Sequence, residues 1–485
     1  MSESTLKEKT AKGLFWGGLS NLIQQAIGAI FSIAIARILS PNDYGLIGML
    51  IIFTAIANTL MDSGFTVALV NKKEIRHEDY NAVFWFSLLL GIALYVILFF
   101  AAPLIAYFYD RPILTNLSRL LFLSFLISSL GFAHNAILFK QLMVKERAKI
   151  DIMAVTASGS VGLILALCGF AYWGLAIQQI VMSGIAVLFR WRYAPWKPTF
   201  RHINLTPLKG MIGFSSKLLF TSIFGQVSDN ILSVIMGKVY GETQVGYYTQ
   251  GSKWRSLGNS VISGMINSVA QPVLVEANDN KERQLQIFRK MIRFGAFVSF
   301  PAMFGFAFIG REFILITVGE KWIESIPILQ ILCIYGGMVF LANMYYQLLL
   351  SFGKSNIVLW YSIIISLLTL INAIITSHYG MQIMVITYVA LFLLSIIGWH
   401  FFASRLIGLR VVDVLKDIAP YLTISLGGIA IAWFLTQPIE NIYLLFGAKI
   451  LITAVLYVSI IWFSGSVILK ESISFLISAL FGKKK

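Results

Sequence analysis

Apolar runs of eighteen or more residues recur from one end of this chain to the other. A run of that length, wound at about 1.5 Å per residue, crosses a hydrocarbon core roughly 30 Å thick. In lipid every backbone N–H and C=O must be satisfied without water, so a spanning run is either a helix or a strand of a closed barrel. A barrel would show alternating segments of about ten residues, and the sequence has none. Only 12 % of the 485 residues are charged, against roughly 25 % in a soluble protein. The expected fold is an all-α polytopic membrane protein with about fourteen transmembrane helices. The narrowest separation falls between the fifth and sixth spans, which little more than "AYWG" divides.

The net charge of +16 would suit a nucleic-acid surface if a folded domain carried it. Here the cations sit in short loops. With the N-terminus inside the cell, most of the 38 Lys and Arg residues fall on the cytoplasmic side, including Lys140, Lys145, Arg147 and Lys149. That asymmetry orients a polytopic chain, so the charge is topogenic and nucleic acid is not an expected partner. An even number of spans returns the "GKKK" tail to the cytoplasm. The first apolar run follows a polar start and no small-residue cleavage site follows it, so a retained helix is expected and not a cleaved signal. Cys168 and Cys333 lie in apolar runs and read as packing residues. The longest loops are "RWRYAPWKPTFRHINLTPLKG", a linker with three prolines, and "VLVEANDNKERQLQIFRKMIR", which reads as a short amphipathic helix on the membrane surface.

The chain resembles itself. "IARILSPNDYGLIGM" has a counterpart in "IMGKVYGETQVGYYTQ", and Arg37 to Lys238 is an offset of 201. "FAHNAILFKQLMVKERAKI" has one in "LANMYYQLLLSFGKSNIVL", with Asn135 to Asn343 an offset of 208. Two parallel six-helix lobes related by this repeat, plus two C-terminal helices, account for the chain. The expected boundaries are 1–190 for the first lobe, 191–210 for a cytoplasmic linker, 211–402 for the second lobe, and 403–485 for the last two helices with a basic tail. Parallel repeats recur in transporters, with the substrate site between them.

Motifs that carry catalysis are missing. "FGKS" at 352–355 has Leu348 where a phosphate-binding loop needs its first Gly. His77, His134, His202, His378 and His400 are scattered, and no two have metal-ligand spacing. The expectation is a non-enzyme with no metal and no cofactor.

Ionisable residues inside spans are costly, so each is a functional candidate: Asp62, Lys217, Asp229, Lys253, Arg255 and Lys449. Arg255, Asn259, Ser263 and Asn267 follow one another at four-residue steps and form a stripe on one helix. If that helix starts at Val245, Arg255 lies about 15 Å deep and faces a wet cavity. Lys253 is shallower, points nearly the opposite way, and suits an interface anchor. Similar stripes run along spans one, two and seven. Their small and amide residues fit helix–helix contacts as well as a cavity lining. Asp62 is either a functional group or the counter-charge to a cation such as Lys217. Lys449 lies outside the duplicated core and reads as structural or lipid-facing. A polar cavity lined with cations suits an anionic, hydrophilic cargo, and an Arg fork matches phosphate.

"RILSPNDYGLIGM", "DSGFTVALVNKKEI", "NAVFWFSLLLGIALYVILFFAAPLIAYFY", "SDNILSVIMGKVYGETQVGYYTQGSKW" and "VGEKW" resemble the Wzx-type polysaccharide flippases of the multidrug/oligosaccharidyl-lipid/polysaccharide superfamily, in particular the colanic-acid exporter branch. The resemblance runs from about residue 10 to 400. It implies a two-lobed bundle in the bacterial inner membrane that moves undecaprenyl-pyrophosphate-linked oligosaccharide from the cytoplasmic to the periplasmic leaflet by alternating access. It also implies a lipid-linked substrate and membrane lipids as partners, polysaccharide polymerase machinery nearby, and a monomeric chain. Candidate substrate-binding residues are then Arg255, Asn259, Asn267, Lys217, Lys253 and Arg37, with Asp62 and Asp229 as ion-coupling candidates. The competing expectation is a cation-coupled multidrug exporter of the same superfamily, which would need an acidic cavity. A membrane glycosyltransferase or polymerase would need an Asp-x-Asp in an outside loop or a large outside loop for its site, and the sequence has neither.

Overall fold

The computed structural model describes the backbone of residues 3–62, 75–200, 206, 209–276, 281–464 and 468–469. Within that range the side chains of 3–19, Asp62, 209–218, Val261 and 265–276 are not described. The described residues contain no strand. The helices are α1 (Glu3–Ile38), α2 (Pro41–Asp62), α3 (His77–Tyr109), α4 (Ile113–Ser129), α5 (Phe132–Lys140), α6 (Val144–Leu167), α7 (Ala171–Tyr193) and α8 (Lys209–Tyr240). They continue as α9 (Glu242–Glu276), α10 (Lys281–Phe308), α11 (Gly310–Thr317), α12 (Ser325–Ser351), α13 (Ser355–Thr376), α14 (Met381–Ile407), α15 (Val411–Thr436) and α16 (Ile442–Phe463). Among the described residues, twelve helices are long and apolar enough to span a membrane. A thirteenth span arises if α4 and α5, bent by 46° at Leu130–Gly131, count as one. Twelve to thirteen spans stand where about fourteen were expected. The 35-residue α9 is not among them, and its Gln250, Lys253, Arg255 and Asn259 lower its apolarity. The chain is a multi-pass membrane protein, and Phe100, Leu104, Leu394, Ile397 and Phe434 are among the large apolar side chains exposed on its surface, as lipid contact requires.

Helix ends follow local chemistry. Ser40 and Asp43 cap α2 reciprocally: the Ser40 N–H donates to Asp43 Oδ2 at 2.8 Å, and the Asp43 N–H to Ser40 Oγ at 3.3 Å. The Asn441 side chain caps α16, accepting from the N–H groups of Tyr443 and Leu444 at 3.0 and 3.2 Å. The narrow break between the fifth and sixth spans is real, because Gly169 adopts φ +82° and reverses the chain between α6 and α7.

Contacts gather the chain into two compact units, residues 1–249 with 359–377, and residues 250–358 with 378–485. Helix pairs recur as the repeat requires. In the first unit α4 packs on α3 and on α7; in the second, α12 packs on α10 and on α14. Within the first unit α6 packs on α1, and α13 bonds to α8 through Ser366, whose hydroxyl meets Ser228 Oγ at 2.9 Å and the Phe224 carbonyl at 2.8 Å.

One loop expectation is corrected. Residues 281–293 are not a separate surface helix. They are the first half of α10, because Gln284, Phe288, Ile292 and Ala296 keep one buried face at four-residue steps through to Phe308. Two of the cations on its other faces meet α15. Arg289 reaches Asp417 with two bonds of 2.7 and 3.1 Å and Asp413 at 3.4 Å, and Arg293 lies 3.7 Å from Asp417. Asp417 is only 5 % exposed. Arg289→Ala leaves that carboxylate with the more distant Arg293 alone, and should cost about 2–3 kcal/mol. The check is thermal unfolding in detergent, where Arg289→Ala should lower the midpoint more than Arg293→Ala.

Candidate functional site

A cation in an apolar bundle must be held by something. In the second unit that holding is done by α12 and α14. The Arg255 guanidinium lies over the Tyr335 ring, 4.9 Å from its centroid. Tyr335 is itself stacked on Tyr388 at 5.6 Å and packed on Phe392 at 4.0 Å. The aliphatic stem of Arg255 passes Gly336, where an added Cβ would sit 3.4 Å from Cγ. Nη2 donates to Ser256 Oγ at 2.9 Å. A guanidinium held by its face presents N–H donors along its edge, which is the arrangement that grips a phosphate or carboxylate in two places.

The rest of α9 supports this placement. One helical turn on from Arg255, Asn259 buries its Oδ1 with no hydrogen-bonding partner. Another seam carries Gln250, fully buried with neither amide atom bonded, and Trp254, whose Nε1 is also buried without a partner. Trp254 packs edge-on against Phe313 at 4.9 Å, and Gly251 lets α12 approach at Ile328 and Leu329. Buried polar groups that the protein leaves unsatisfied are rare and call for water or a ligand. Lys253 is half-buried on the same helix.

Lys253, Arg255 and Asn259 therefore share α9 in the second unit. Arg37 and Asp229 belong to the first unit: Arg37 is exposed in the last turn of α1, and Asp229 is exposed on α8. The side chains of Lys217, Asn267 and Asp62 lie outside the described residues. The described residues contain no group of three or more His, Cys, Asp or Glu able to hold a metal ion.

Sequence reasoning did not find the partners of several charged groups. Lys238, the counterpart of Arg37, pairs with Asp110 at 2.7 Å, and Arg111 pairs with Glu242 at 2.8 Å. Of the two readings open for Lys449 the structural one holds: it bonds Glu312 Oε1 at 2.8 Å and lies over the Phe308 ring at 4.5 Å. The "VGEKW" segment holds part of a tight turn, with Trp322 fully buried. The signal for the first two pairs was present in the sequence as charges beside helix breaks. That for Glu312 and Lys449, 137 residues apart, was absent.

The family described as "Polysaccharide biosynthesis protein" matches residues 34–327. The chain is 28 % identical over 357 residues to a protein described as "Uncharacterized membrane protein in cps region" of Klebsiella pneumoniae, covering 73 % of each. It is 25 % identical to the lipopolysaccharide biosynthesis protein WzxC of Escherichia coli, covering 73 % of this chain and 72 % of that one. It is 24 % identical to the teichuronic acid biosynthesis protein TuaB of Bacillus subtilis, covering 74 % of each. Among solved structures it is similar to the lipid II flippase MurJ in an inward closed conformation, with a TM-score of 0.71 and 15 % identity over 91 % of this chain and 97 % of that one. An inward-facing multidrug transporter of the MATE family gives 0.62 and 17 % over 80 % and 98 %. At these identities the solved structures establish the fold.

Proposed function

The chain belongs to the polysaccharide biosynthesis protein family, and from that premise we propose that it is a flippase for undecaprenyl-pyrophosphate-linked oligosaccharide. It carries the unit from the cytoplasmic to the periplasmic leaflet of the bacterial inner membrane by alternating access, for assembly of O-antigen, capsule or exopolysaccharide. The observation that carries the reading is Arg255, a cation on a polar helix, held face-on by Tyr335 one turn from the unsatisfied Asn259. A pyrophosphate is the part of a lipid-linked sugar that needs such a fork. The relatives' names, which cite lipopolysaccharide and teichuronic acid biosynthesis, and a fold neighbour titled a lipid II flippase, point the same way. The chain is a transporter and not an enzyme in this reading.

Arg255, Asn259 and Lys253 bind the head group; Asn267, Lys217 and Arg37 are further substrate-binding candidates, and Asp229 and Asp62 are the candidates for ion coupling. The lobes 1–190 and 211–402 are the moving parts, joined by 191–210, and 403–485 is accessory. The loop charge supports a cytoplasmic position for both termini. The chain acts as a monomer beside the polysaccharide polymerase machinery.

Expression of the chain in a strain that makes the lipid-linked unit but lacks its own flippase should restore surface polysaccharide. It should also clear the lipid-linked unit that accumulates on the cytoplasmic leaflet. An inserted chain that does neither overturns the proposal.

A further inference from the structure

The sequence repeat relates residues by an offset of 201, and within the first unit the structure brings those related residues into contact with each other. Gly45 lies against the carbonyl of Glu242, where an added Cβ would come within 1.7 Å of the oxygen. Gly246 lies against the carbonyl of Pro41, where a Cβ would come within 2.0 Å. Gly45 and Gly246 are counterparts, and so are Pro41 and Glu242. The two contacts are therefore copies of one contact, each glycine meeting the partner of the other. Asn42 and Thr243 are counterparts too, and their side chains are hydrogen-bonded to each other. Gly48 and Thr249 complete the set, with Thr249 Oγ1 2.5 Å from where a Gly48 Cβ would be. A residue that touches its own counterpart lies on a two-fold axis, so the α1–α2 and α8–α9 hairpins meet as an isologous pair.

Two ion pairs brace this junction, Lys238 with Asp110 and Arg111 with Glu242. Their side chains are 20–74 % exposed, and pairs so exposed contribute little. Closeness is set by the glycines, which alone allow a helix backbone to sit on a facing carbonyl. Because the contact is self-complementary, one glycine cannot part from its carbonyl without drawing the other away.

We propose that Gly45, Gly246, Asn42 and Thr243 form a reciprocal latch that holds the α1–α2 and α8–α9 turns shut and must open once per transport cycle. The latch rests on the flippase reading, and on the loop-charge orientation that puts these turns at the periplasmic end. Its residues are positioning residues and do not touch the cargo.

The test is a reversible cross-link. In a background with Cys168 and Cys333 replaced by serine and alanine, Asn42→Cys is combined with Thr243→Cys. Oxidation should form the 42–243 disulfide and lower polysaccharide output at least ~10-fold, equivalent to about 1.4 kcal/mol, and a reductant should restore it. Unchanged output from a fully cross-linked protein overturns the latch, as does failure of the inserted double variant to cross-link. Wild-type protein that cannot restore polysaccharide overturns the flippase reading instead, and the cross-linking yield still reports whether the turns close. Independently, Gly45→Ala should expose Val245, which is fully buried, so that Val245→Cys becomes reactive to a membrane-impermeant maleimide. Labelling equal to that of Val245→Cys alone, with normal output, removes the latch.

Discussion

Arg255→Ala is expected to cut surface polysaccharide severely while the chain inserts at wild-type levels. A charge-assisted bond to phosphate contributes roughly 1.5–3 kcal/mol, so loss of one such fork lowers flux by about 10- to 100-fold. The guanidinium rests on Tyr335, which Tyr388 and Phe392 hold in turn. That support gives a second, sharper expectation. Arg255→Lys keeps the charge, loses the plane that stacks on the ring and the paired donors, and should recover only a small part of the output. Tyr335→Ala should fall between wild type and Arg255→Ala, because the charge remains and its orientation is lost. The measurement is surface polymer per unit of inserted protein. Normal output from a well-expressed Arg255→Ala variant removes this residue from the mechanism.

Lys449→Met is expected to destabilise the chain by about 3–5 kcal/mol. Lys449 and Glu312 are 12 % and 5 % exposed, joined at 2.8 Å. Without the lysine, a buried carboxylate faces an apolar surround with no counter-charge. The companion expectation separates this from simple loss of packing. Lys449→Met combined with Glu312→Leu removes both charges together and should return the stability close to that of wild type, since a buried pair offsets little more than its own desolvation. Unfolding in detergent, followed by tryptophan fluorescence, distinguishes the two. A double variant no more stable than Lys449→Met would show that the pair is not the source of the loss.

These two residues also mark where sequence reasoning reaches and where it stops. Hydropathy located the spans because lipid leaves the backbone no other partner. Arg255 was conspicuous because polarity at depth has few explanations. Its aromatic seat was not, because Tyr335 lies on α12, 80 residues away, and apolar spans are full of aromatic rings. Glu312 escaped notice since it sits in a short helix, α11, beside a span and not within one. The basic stretch 281–293 read as a surface helix because its cations pointed to water. The two aspartates on α15 that receive Arg289 and Arg293 became visible only once the helices were side by side. The repeat was legible as equivalence. Sequence states which residues correspond, and gives no hint that Asn42 and Thr243 should touch.

The segment after α7 is pinned to the start of α3. Trp196 Nε1 donates to His77 Nδ1 at 2.9 Å, the Thr199 N–H to Asn81 Oδ1 at 3.0 Å, and Trp85 Nε1 to the Thr199 carbonyl at 3.0 Å. The prolines at 195 and 198 stiffen that stretch further. The covalent path between that anchor and the second repeat runs from Phe200 to Lys209, where α8 starts. Nine residues of chain extend to about 30 Å at most. That figure is a tether length, and it caps how far the start of α8 can lie from the start of α3 in any state of the protein. Removing three residues from 201–208 shortens the leash by roughly 10 Å, which sets a ruler against which the amplitude of the motion can be measured.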